Sequence, residues 1–196
     1  MAGLDDYRRY TSTPARRRTF YCYCTKEFVQ DQAAFFVLVE AYRVSRRKKQ
    51  ALFLNDWFIN GNIPQTLQAG GYLSIVNIAA SLQKSTSDAT TAAVAAVGKT
   101  FADKMANQGG GVGGFFGALG KKISGTGVPA DLFDAAQGQV VGMLNDRHGF
   151  GAQGGLGATY QMDGSYLPNG IYAGQVAAFK SALTTAGFDP DSLGIY

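Results

Sequence analysis

The sequence is poor in cysteine, histidine and charge, and it has no long apolar run. Two cysteines and one histidine argue against a disulfide-stapled miniprotein, a zinc-finger array and a histidine-rich metal enzyme, each of which needs more such side chains. Charged residues are 16% of the chain, against a usual ~25%. The longest apolar block, Ala33 to Val39, stops at Glu40, far short of the ~18 residues a bilayer-spanning helix needs. The opening residues Met1 to Asp6 are polar and acidic, the opposite of a secretory leader. These absences predict a protein without signal peptide or transmembrane helix, resident in a virion or the cytoplasm.

Catalytic and ligand-binding patterns are equally scarce. Cys22-Tyr23-Cys24 is half of a metal site with no second half, and it reads as a pair of buried structural thiols. His148 follows a predicted helix and reads as a dipole-stabilising end residue. Gly120-Lys121-Lys122 lacks the full phosphate-loop pattern, and Gly109 to Gly114 follows a predicted helix where a dinucleotide fold needs a strand. Asp163-Gly164-Ser165 and Asp189-Pro190-Asp191-Ser192 have turn chemistry without calcium-loop spacing. No cofactor, metal or small-molecule substrate is expected, and the chain reads as non-enzymatic.

The apolar and glycine content is substantial. Hydrophobic residues are 46% and aromatics 12%, enough for a core, so full disorder is not expected. Glycine is 26 of 196 residues, nearly twice its usual share of about 7%. Charge is asymmetric: residues 1–50 carry eleven Lys/Arg and five Asp/Glu, whereas residues 51–196 carry seven and nine. The front cations cluster as Arg8-Arg9, Arg16-Arg17-Arg18 and Arg46-Arg47-Lys48-Lys49, with tyrosines beside the first pair. Packed like charges need solvent or a polyanion, and arginine's planar fork suits phosphate. All nine residues are therefore candidate phosphate contacts. An anionic membrane surface would satisfy the same charges.

The local patterns predict a mainly α protein in two parts. Residues 1–27 read as a basic arm, partly extended, with Thr11-Ser12-Thr13-Pro14 breaking any helix and residues 19–25 alternating like a strand. Residues 28–196 read as a single helical assembly domain. Within it, residues 28–60 fit a helix starting near Asp31. A β-hairpin over 35–59 with its tip at Ser45–Lys49 is the alternative, weakened by a tip without Gly, Asn or Asp. Helices are predicted over 65–84, interrupted by Gly70 and Gly71, over 88–106, over 129–146 and over 173–186. Their apolar stripes are Val94, Val97, Phe101 and Met105; Phe133, Ala136, Val140 and Leu144; and Val176, Phe179 and Leu183. The alanines at 92, 93, 95 and 96 allow close helix approach but bury little area each, which places part of the apolar surface between subunits.

Two glycine-rich connectors complete the pattern, at 108–128 around Phe115 and Phe116, and at 148–170 around Tyr160 and Tyr166. Loops of ~20 residues in one small domain usually bind something, so these four aromatics are candidate subunit contacts. Phe115 to Ile123, followed or interrupted by lysines, is the alternative membrane-interface segment. The combined expectation is a self-assembling structural protein, such as a virion coat or internal virion component, that meets copies of itself and touches nucleic acid through its basic front. A peripheral membrane subunit is the alternative.

Overall fold

Thr13 and Pro14 open a helix. In the computed structural model, which describes residues 3–107, 127–148, 170 and 172–195, the Thr13 side chain accepts a hydrogen bond from the Arg16 amide and Pro14 occupies the first helical position. Proline's missing N–H is harmless there and its fixed φ already fits a helix. Helices α1 (Leu4–Tyr10) and α2 (Pro14–Lys26) therefore replace the extended arm and the strand expected over 1–27. The correction reaches into the core. Tyr7 and Phe20 are fully buried, their rings edge to face at 6.1 Å, and both pack on Phe36. Of the aromatic residues that flank the arginines, Tyr7, Phe20 and Tyr21 are thus interior, while Tyr10 is half-buried.

Helix α3 (Gln30–Ser45) is the centre of the molecule. Every residue from Gln30 to Val39 is buried: residues 33–39 are apolar on all sides, and Gln30, Asp31 and Gln32 are buried polar residues of the first turn. It is contacted by α2, by α4 (Lys48–Leu54), by α7 (Asp134–His148) and by the short α9 (Pro190–Leu193). Arg46, in the left-handed region at φ 52°, separates α3 from α4. After α4 the chain loosens into a π turn over Asn55–Ile59, closed by the Asn60 amide on the Asn55 carbonyl. The helical reading of 28–60 holds, and no strand occurs among the described residues.

The helix expected over 65–84 is instead broken. It survives as α5 (Gln65–Gln68) and a 3-10 turn at Ala69–Gly71. Gly70 and Gly71 both take positive φ, 65° and 74°, and irregular chain follows to Ala79. Helix α6 then runs from Ala80 to Asn107, well ahead of the expected start at Ser87 or Asp88. Its inner face carries Thr86, Thr90 and Val94, with Val97 half-buried, while Ala92 and Ala95 are exposed. The side chains of Phe101, Met105 and His148 lie outside the described part of the structure. Helices α7 and α8 (Ala173–Thr185) follow the sequence closely: Phe133, Ala136, Val140 and Leu144 are inaccessible, as are Phe179 and Leu183, and Gly187 ends α8 at φ 84°.

The core is therefore aromatic, and the alanines of α6 contribute little to it. Phe35 meets Phe58 and Phe133, Tyr42 meets Phe133, and Trp57 stacks on Phe179. Each buried aromatic ring removes roughly 150–250 Å² from water. Among the described residues these rings belong to one continuous buried cluster.

Candidate nucleic-acid interface

The structure separates the basic residues by what they touch. Arg8 leaves α1 at a position where its guanidinium faces α3 and α7. Its Nε donates to Glu40 Oε1 at 3.0 Å, Nη1 to Asp5 Oδ1 at 3.3 Å and Nη2 to Gln137 Oε1 at 3.1 Å, with Asp134 Oδ1 3.5 Å away. Arg43 shares Glu40 and Asp134. Gln137, fully buried, donates to Glu40 and to the Phe36 carbonyl, so every member is held. Burial works against the Arg8 charge, but the bonds and charges of Glu40, Asp134 and Asp5 outweigh it and raise its pKa.

Arg17 is tied to backbone. Its Nε donates to the Leu193 carbonyl, Nη1 to those of Thr11 and Ser12, and Nη2 to that of Ser192 at 2.9 Å. Two of these carbonyls end α9, where the helix dipole favours a cation. No carboxylate pairs with Arg17 among the described residues, and burial lowers its pKa. Arg46 donates from Nε to the Val128 carbonyl at 3.0 Å and from Nη2 to that of Gly127. Gly127 has no room for a side chain there: a Cβ would lie 2.9 Å from that of Arg46. Arg8, Arg17 and Arg46 hold the fold together, and neither their burial nor their bonding could be inferred from clustering alone.

The remaining cations stand outward. Arg9 is exposed and pairs with Asp6 one turn back. Arg16 is exposed, its guanidinium 5.8 Å from the Tyr10 ring centre. Arg18, Lys48 and Lys49 are exposed, and Arg47 is exposed with one bond to the Gly187 carbonyl. Among the described residues, Arg16, Arg18, Arg47, Lys48 and Lys49 have no carboxylate partner. Arg16 and Arg18 are on α2, while Arg47, Lys48 and Lys49 lie at the start of α4.

Cys22 and Cys24 are free, buried thiols on α2 rather than on a strand. Burial pushes Cys22 up to about 11 against the pull of Arg18, and burial also raises Cys24 well above the usual thiol value, so neither is a ready nucleophile. No group of three or more His, Cys, Asp and Glu side chains among the described residues could hold a metal ion, and no helix there is long and apolar enough to cross a membrane. Phe115, Phe116, Tyr160 and Tyr166 lie outside the described residues. Comparison of the chain with protein-family models, with curated proteins and with solved structures finds no match.

Proposed function

We propose that the chain is a non-enzymatic structural protein that assembles with copies of itself and contacts nucleic acid through an outward set of cations. A virion coat or internal virion component fits that description. The observation that carries the nucleic-acid reading is the group of five exposed cations, Arg16, Arg18, Arg47, Lys48 and Lys49, that lack carboxylate partners. A fold that neutralises Arg8 and Arg43 so thoroughly leaves these five for solvent or for phosphate. Self-assembly is supported by apolar side chains left at the surface: Phe28 is 70% exposed, Val44 88%, Leu52 43% and Ile75 38%. The peripheral-membrane alternative rests on residues 115–123, which lie outside the described residues.

Binding to a short duplex at several salt concentrations tests the nucleic-acid reading. Five phosphate contacts give a log–log slope of about −4 to −5. Changing Arg16, Arg18, Lys48 and Lys49 to Gln removes most of that slope. An affinity that barely changes between low and moderate salt defeats the reading.

A further inference from the structure

Phe28 lies in the turn between α2 and α3 and has φ 57°, the left-handed region that favours glycine. The turn is a Schellman closure: the Val29 amide bonds the Cys24 carbonyl at 2.8 Å and the Phe28 amide bonds that of Thr25 at 3.2 Å. Glycine is the usual occupant of this position. Here a phenyl ring protrudes instead, 70% exposed. Most of its surface stands in water. Its neighbour Glu27 forms no salt bridge among the described residues. The turn is thus an apolar knob with an unpaired negative charge at its base.

The complementary shape lies at the other end of the same helix. A cleft of about 400 Å³ has Val37, Ala41 and Val44 of α3 as its apolar lining, Leu193 on one side, and Arg8, Glu40 and Arg17 at its wall, where Glu40 is already engaged by Arg8, Arg43 and Gln137. Val44 is 88% exposed. Arg17 is the cation in this cleft that meets only carbonyl oxygens. The cleft thus offers an apolar seat beside a guanidinium that, among the described residues, forms no salt bridge. From residue 28 to residue 41 along a helix is about 20 Å at 1.5 Å per residue, so one chain cannot place its own knob in its own cleft.

We propose that the Glu27–Phe28 turn of one copy seats in the Arg17–Val44 cleft of a second copy, giving a head-to-tail contact. Such a contact uses two different surfaces, so it repeats into a ring or an open filament. Phe28 supplies the buried apolar anchor, and Glu27 faces the guanidinium of Arg17, which sets the register. The proposal rests on the self-assembly reading and names its interface.

The test uses the full chain and two variants, followed by sedimentation velocity over a concentration series. Phe28→Gly removes the knob and should leave the fold as stable or more stable, as its thermal midpoint shows. Val44→Asp spoils the cleft at a residue already in water. Each variant alone should weaken self-association about tenfold or more. Mixed together, they should form a dimer and nothing larger, because one still offers a cleft and the other a knob. Unchanged assembly in both variants, or no dimer in the mixture, overturns the proposed interface while leaving self-assembly standing. A parent chain that stays monomeric overturns both. Loss of single-strand affinity in Phe28→Gly with assembly intact assigns the ring to base stacking and overturns the interface.

Discussion

Arg8 of α1 and Glu40 of α3 meet at 3.0 Å, joining the start of the chain to its central helix. Both side chains are largely shielded from water, at 23% and 28% exposure, and Gln137 bonds to each. Arg8→Ala should therefore cost about 1–3 kcal/mol, because Glu40 and Gln137 lose a donor in a poorly hydrated place. Arg8→Lys should recover part of this, since one ammonium cannot reproduce the fork. Arg18→Ala, by contrast, should change stability by less than about 0.5 kcal/mol while lowering nucleic-acid affinity. Urea titrations paired with binding curves separate the two arginines.

Tyr7 decides whether the N-terminal segment is an arm or part of the body. Its ring packs on Phe20 and Phe36, and its hydroxyl donates to Asn145 Oδ1 at 3.1 Å. Tyr7→Ala should cost about 3–5 kcal/mol, the range for emptying a buried aromatic site. Removing residues 1–26 should abolish cooperative unfolding, because it strips Phe36 and the rest of α3 of their cover. A truncated chain that melts like the parent would restore the detachable-arm picture.

Asp31 should make stability depend on pH. It lies in the first turn of α3, accepts from the Ser74 hydroxyl at 2.8 Å, and is 7% exposed. Burial pushes its carboxyl up to about 6, against the opposing pull of Ser74 and of the amides of Asp31 and Gln32. The folded value exceeds the unfolded one, so the protonated form is favoured by folding. This contribution is complete below about pH 4 and is lost as pH rises through about 6, amounting to about 3 kcal/mol. Asp31→Asn keeps an oxygen for Ser74 and should flatten that part of the profile. Denaturant midpoints at pH 4.5 and pH 7 check it.

Gly194 and Gly71 share a backbone conformation but not a setting. Both have positive φ, 71° and 74°. A Cβ on Gly194 would lie 2.7 Å from the Cα and carbonyl oxygen of Pro14, whereas one on Gly71 meets nothing within 4 Å. Gly71→Ala should cost only the conformational strain, about 1 kcal/mol. Gly194→Ala should cost about 2–3 kcal/mol and loosen the Arg17 clamp on the Ser192 and Leu193 carbonyls. Thermal melts of the two variants side by side give the comparison.

The helices legible in the sequence are those whose spacing and ends agree. The stripe Phe133, Ala136, Val140, Leu144 is fully inside, and Gly187 stops α8 where its freedom is needed. The first 26 residues were not legible because their local signals point elsewhere. Phe20 to Thr25 has strand-like composition, and helix α2 is imposed by burial of Phe20, Tyr21 and Cys24 against α3. Thr13-Pro14 reads as a helix breaker, yet α1 already ends at Tyr10 and the pair begins α2, which the Arg16 amide bond to Thr13 marks.

The candidate site was legible as a count of cations and not as a surface. Arg17 and Arg18 are adjacent in sequence, yet α2 turns one towards Leu193 and the other towards water. That division depends on a partner 176 residues away, which no local pattern encodes.

The abutment of Pro14 on Gly194 also bears on how the polypeptide is made. Leu193 and Ile195 belong to the same buried cluster as Tyr7 and Phe20. Translation delivers Tyr7 and Phe20 well before Leu193 and Ile195, so during synthesis part of this cluster waits uncovered. Closing such distant contacts is slow compared with forming the helices themselves. The helices of the growing chain therefore form well before the contacts that bury them.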